Sequence, residues 1–321
     1  MEGNLRTTAM GILPHTDIDT ALELALSLDI PFWPQLPRVS FYEDMYAQMS
    51  EGFPGVRLDV EGERILFDTA RFYEELPLYA EASSEPEYFA LRSPYSAVYE
   101  RFLACNLERY PAIRGQVIGP ISFGLKVVDE NLKPIIYNSD IKIVLFEFML
   151  HKANCQVRQL QARNPNAFVW LDDPGLELLF TSFTGYVDFV ARQDLAEFLA
   201  GFEGPKGVHL CGNPDWDFLL SADLDILSFD AYGRGEIFTR YAEQVVRFIE
   251  QGRTLSWGAV PTKVEDLDGE TLDSLISRLE GLWDYVVQRG MDRERLLRQS
   301  LLATATCCLG NPDRTETVEQ A

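Results

Sequence analysis

Short apolar runs that end in Gly, Pro or Asp alternate along this chain with longer segments whose apolar residues recur every three or four positions. Compact runs of this kind predict strands, and the three-to-four spacing predicts amphipathic helices. Strands are expected at 7–13, 30–35, 114–118, 168–172, 208–211, 226–230, 255–260 and 301–306. Ile18, Ala21, Leu22, Ala25 and Leu26 form one helical stripe behind an N-cap at Thr16 or Asp17. Leu272, Leu275, Ile276, Leu279, Leu282, Trp283, Val286 and Val287 form another, stopped by Gly290. The segment from Asp140 to about Arg163 is apolar on several sides and predicts a buried helix.

Eight strands alternating with helices predict an α/β fold, a single (β/α)8 TIM barrel over residues 1–311. A doubly wound sheet is the competing topology. A long insertion separates the second and third strands. Within it, 56–59 and 64–67 flank Glu61-Gly62-Glu63 and predict a hairpin. The polar tail, 312–321, is expected to fray.

Composition narrows the partners. The chain has 321 residues, 46% of them hydrophobic, enough for a large core. Its 50 acidic residues against 28 basic ones give a net charge of −22, which repels phosphate backbones and anionic lipid. Neither nucleic acid nor a membrane surface is expected to bind. No apolar run approaches the ~18 residues of a membrane span, and Met1-Glu2-Gly3-Asn4, without a basic region followed by an apolar core, is not expected to begin a signal peptide. Five scattered cysteines (105, 155, 211, 307 and 308) suit reduced thiols in a cytoplasmic enzyme. Cys105 and Cys155 fall in expected helices and read as core packing.

The candidate chemistry sits where expected strands end. His209 and Cys211, two positions apart, would face one side of a strand. Cys307 closes another apolar segment. An imidazole with two thiolates suits zinc and leaves a coordination position for substrate. Asp230 is expected either as a fourth, oxygen ligand or as a partner orienting His209. Asp172-Asp173-Pro174 ends a further strand and reads equally as a turn cap. In a barrel these residues would share one mouth.

His209-Leu210-Cys211-Gly212-Asn213, Trp257-Gly258-Ala259-Val260-Pro261-Thr262, the segment Arg298–Leu302 with Cys307-Cys308-Leu309-Gly310, and the opening Thr8–His15 motif together resemble the catalytic barrel of cobalamin-independent methionine synthases. Those enzymes share a superfamily with uroporphyrinogen decarboxylase. The resemblance implies zinc held by His209, Cys211 and Cys307, with Cys308 an alternative to Cys307 and Asp230 where the family has a glutamate. It implies that Asp172 holds the amino group of homocysteine, that Gln35 occupies a second amino-binding position, and that Met10, Gly11 and Ile12 border the substrate.

Only one barrel is expected, whereas the folate-dependent enzymes carry two. The resemblance therefore implies a stand-alone core form using methylcobalamin, free or on a corrinoid carrier protein, as methyl donor. The expected product is methionine. Transfer to another thiol such as coenzyme M, or zinc and corrinoid binding without turnover, are the alternatives.

Overall fold

The computed structural model describes residues 2–179, 181, 185–307, 311–313 and 315–321. Nine strands occur among them: β1 (Arg6–Thr7), β2 (Val56–Asp59), β3 (Arg64–Phe67), β4 (Arg114–Ile118), β5 (Phe168–Asp172), β6 (Lys206–Leu210), β7 (Ile226–Phe229), β8 (Thr254–Val260) and β9 (Ser300–Thr304). Seven form one all-parallel sheet in the order β1-β9-β8-β7-β6-β5-β4, curled into a half-barrel. Helices fill the crossovers that parallel neighbours require. Their starts are fixed locally: Asp17 caps Ile18–Leu26, Asn138 caps Ser139–Gln161, and Thr271 with Ser274 forms a capping box at Leu272–Val287.

The sheet's two faces differ in chemistry. Val117, Val169, Leu171, Val208, Leu210, Leu227, Phe229, Leu255 and Trp257 belong to the main core shared with the helices. The alternate positions carry Arg114, Gln116, Trp170, Asp172, His209, Ser228 and Ser256, registered strand to strand on the concave side. A separate small cluster there contains Met10, Ile30, Phe168, Trp170, Ile226, Leu301 and Ala303.

The expected eighth strand does not form a ladder. Segment 30–35 makes two isolated parallel bridges, Phe32 with Arg114 and Ile12 with Gln35, between the sheet's edges. Pro31 and Pro34 remove amide donors that continuous pairing needs. The expected strand 7–13 likewise shrinks to Arg6–Thr7, and beyond it the Met10 amide donates to the Thr304 hydroxyl (3.0 Å) instead of to backbone.

The insertion contains the expected hairpin, β2 antiparallel to β3. Phe53 and Phe89 pack tilted and edge-on against Phe148 of Ser139–Gln161, with ring centroids 5.2 and 5.8 Å away, which joins the insertion to the main core. The tail expected to fray ends in the helix Glu316–Gln320, with Val318 buried beside Leu13, Phe32 and Leu36. Cys155 is buried in the core, while Cys105 lies just past the helix Tyr99–Leu103. No helix among the described residues is long and apolar enough to cross a membrane.

Candidate functional site at the strand ends

β5 and β6 end side by side, with Asp172 registered against His209, and His209 against Ser228 of β7. His209 is buried, its ring stacks on Trp170 (centroids 5.9 Å apart), and Nδ1 lies 2.9 Å from Ser228 Oγ. Burial, reinforced by the nearby Arg114 charge, pushes its pKa down to about 3. The imidazole is therefore neutral at ordinary pH, the state in which it ligates metals. Asp230 is not the partner that orients it. Its Oδ1 accepts from Gly233 N (2.7 Å), capping the helix Ala231–Phe238, because β7 stops at Phe229. Ser228 takes the orienting position.

Arg114 lies behind this group. It is buried, its guanidinium 4.0 Å above the Trp170 ring, and it donates to Thr8 Oγ1 (3.1 Å) and Gln116 Oε1 (3.0 Å). Burial lowers its pKa to about 9, and the Asp172 carboxylate opposes that shift.

Cys211 follows the last residue of β6 and is half-buried. Burial raises its thiol pKa to about 12, with further upward pushes from Asp172, Cys307 and Asp230. The structure thus brings Cys211, Cys307, Asp172 and Asp230 within electrostatic reach of one another. Cys307 is exposed beyond β9, and Cys308 lies outside the described residues. Among the described residues, no three His, Cys, Asp or Glu side chains converge closely enough to hold a metal ion. The expected ligands share one end of the sheet without closing on a point. His209 is tied to Ser228, Asp230 to its cap, and Cys307 projects toward solvent.

The two aspartates divide their labour. Asp173 accepts hydrogen bonds from Ser122 N (2.8 Å) and from the Ser122 hydroxyl, tying β5 to the helix Pro120–Lys126. Burial raises its pKa to about 6 against those hydrogen bonds. Asp172 is half-buried on the concave side, and its carboxylate has no hydrogen-bond partner among the described residues. Burial, then the Asp173 charge, lift its pKa to about 7, opposed by Arg114.

Met10 is buried in the concave cluster. Gly11 is required by close approach, since a Cβ there would fall 2.3 Å from Gln116 Cδ. Half-buried Ile12 bridges Gln35. Gln35 is fully committed on one side, Nε2 donating to Gln48 Oε1 (2.6 Å), while its buried Oε1 has no partner among the described residues. It lines a small, mostly apolar cavity whose polar members include Gln48, Gln116, Gln156 and Lys152.

Four contributors were not singled out from the sequence. Ser228 and Arg114 occupy concave positions whose polar identity in otherwise apolar strands was the available signal. Tyr46, from the insertion helix Met45–Ser50, has its phenol pKa raised by burial and then by Asp173 and Asp172, so the insertion reaches the mouth. Glu177 Oε1 accepts from Asn213 N (3.0 Å), fixing the loop after Cys211; a Cβ on Gly212 would meet Glu177 Oε2 at 2.2 Å. Compared with known proteins, the chain matches no family model and no curated protein.

Proposed function

We propose that this chain is a zinc-dependent methyltransferase that moves a methyl group from methylcobalamin, or a methyl-corrinoid protein, to the thiol of homocysteine, giving methionine. The scaffold is read as a (β/α)8 barrel whose second strand is the proline-interrupted segment 30–35. The observation that carries the reading is that these groups share one end of the sheet: a neutral His209 held by Ser228, and a Cys211 thiol within electrostatic reach of Cys307, Asp172 and Asp230.

Zinc fits the chemistry of that donor set. Ser228 occupies Nδ1 of His209, which leaves Nε2 for a ligand bond, the usual arrangement around metal-binding histidines. Burial, then the charges of Asp172, Cys307 and Asp230, raise the pKa of Cys211, and a cation among these groups would oppose that shift. His209, Cys211 and Cys307 would hold the ion, with Asp230 kept for its cap. When bound, zinc supplies a Lewis acid that lowers the pKa of a substrate thiol.

The remaining steps fall to the protein's own groups. Asp172, half-buried and without a hydrogen-bond partner among the described residues, would accept the ammonium of homocysteine, and that ammonium would bring its pKa down. Anchoring the amino end orients the sulfur for in-line attack. The S–CH3 bond forms as the cobalt–carbon bond breaks, the electron pair stays on cobalt, and the thiol proton leaves through the open mouth. Arg114 and Trp170 hold His209 unprotonated from behind.

A second acceptor, another small thiol such as coenzyme M, is favoured by one observation. Gln35 lines a small cavity with Gln48, Gln116 and Lys152 in which Asp172 takes no part, so amino-group recognition at Asp172 proceeds without it. Mixing the purified protein with zinc, methylcobalamin and each thiol, and following the corrinoid spectrum, tests both readings. Homocysteine should accelerate demethylation, and Asp172→Asn should raise its KM while sparing thiols that lack an amine. A rate equal to the protein-free control with every thiol would refute methyl transfer.

A further inference from the structure

Where β1 meets β9, a cavity of about 310 Å³ opens among the ends of β8 and β9 and the chain leaving β1. That volume lies in the range of small-molecule sites, about 300–1,000 Å³. Met10, Phe32 and Val260 line it from the sheet side, and Val318 and Glu319 from the segment 315–321. Most of the lining is apolar.

Polar groups at the wall are already engaged. Thr304 Oγ1 accepts from Met10 N (3.0 Å), and Thr8 Oγ1 donates to Ile30 O (2.9 Å). Among the described residues no Lys or Arg lines the cavity, whereas the Glu319 carboxylate does. Glu319 Oε1 lies 3.2 Å from Nε2 of the buried His15. Burial pushes the His15 pKa down, against the opposing pull of Glu319 and Asp17. None of His209, Cys211, Asp230 or Cys307 touches this space. It is a separate compartment at the same end of the sheet.

We infer that this cavity binds a small apolar molecule, neutral or bearing an amine, and that Glu319 on the segment 315–321 selects against anions. The apolar wall supplies affinity by desolvation, and the uncompensated carboxylate sets the charge preference. Nothing in this inference depends on zinc or on methyl transfer.

Three probes of similar size separate the outcomes: indole, phenethylamine and phenylacetate, each titrated by calorimetry into the full chain. Indole and phenethylamine should bind saturably, and phenylacetate about tenfold or more weakly. Glu319→Gln, at a side chain 46% exposed, should keep the fold. It should shrink the gap between amine and acid severalfold and leave indole unchanged. A chain ending at residue 314 should lose the charge preference altogether; if that truncation unfolds, the Glu319→Gln arm decides. Equal binding of phenylacetate and phenethylamine, absence of binding by indole and amine, or an unchanged preference in Glu319→Gln would overturn the inference.

Discussion

The arc β4–β9 and the seam formed by β1 and segment 30–35 are built from the same chain on different terms. In the arc every strand forms a parallel ladder with its neighbours, with one register shift between Gly258 and Val260 of β8, and its convex side packs a contiguous aromatic and aliphatic core. Phe229 alone meets Trp216, Phe238 and Trp257 with centroids 3.9–5.7 Å apart. At the seam, two residues of strand, two isolated bridges and a short terminal helix take the place of ladders. His209, Cys211 and Asp172 sit on or just beyond the arc, whereas the cavity beside Glu319 lies at the seam. Rigid pairing holds the chemical groups, and interrupted pairing leaves room for a ligand.

The largest effect that would break this contrast is on stability. Phe229→Ala should cost about 3–5 kcal/mol, against about 1 kcal/mol for Val318→Ala, because only the arc residue leaves a closed cavity. Chemical denaturation measures both. Equal costs would mean that the seam is as tightly packed as the arc.

Next in size is a pH effect confined to the arc. The pKa of Asp172 is about 7 when folded, against an ordinary 3.8. Its contribution to stability is therefore fully present below pH 4 and is lost as pH rises through 7. Stability of the wild type should fall across that window. Asp172→Asn should flatten the decline, moving Tm near neutrality upward by roughly 2–4 °C. A variant whose pH profile parallels the wild type would show that the Asp172 carboxyl does not titrate there.

A smaller, spectroscopic effect concerns the charge behind the histidine. Arg114→Met removes a cation that lowers the pKa of His209 and also that of Asp172. Both should rise in an NMR titration, with His209 staying below its ordinary 6.5 because burial is the dominant cause. A downward move of either would contradict the arrangement of charges.

The same contrast explains what could be read from the sequence. Strands 114–118 and 168–172 were legible to the residue because alternation and burial agree there. Segment 30–35 was apolar enough to suggest a strand, but Pro31 and Pro34 withhold the donors that would extend its pairing. The tail expected to fray instead forms a helix because Val318 is buried against Leu13, Phe32 and Leu36, residues 282 to 305 positions earlier in the chain.

At the site, the strand ends brought Asp172, Asp230 and Cys307 within electrostatic reach of Cys211, which lies one residue past β6 and not on the strand that carries His209. Ser228, Arg114 and Tyr46 became visible only through tertiary register and the insertion's packing. Of the two roles expected for Asp230, orienting His209 falls to Ser228 instead, for a local reason: β7 ends one residue early and the Asp230 carboxylate becomes a helix cap.

The central claim is that His209, Cys211 and Cys307 close around one zinc ion. X-ray absorption at the zinc edge, with metal stoichiometry on wild type, Cys211→Ser and Cys307→Ser, tests it most directly. The account predicts about one zinc per chain with one nitrogen and two sulfur ligands at about 2.0 and 2.3 Å, and loss of the metal in both variants. A wild type that takes up no zinc, or variants that keep it with unchanged sulfur coordination, would contradict the account.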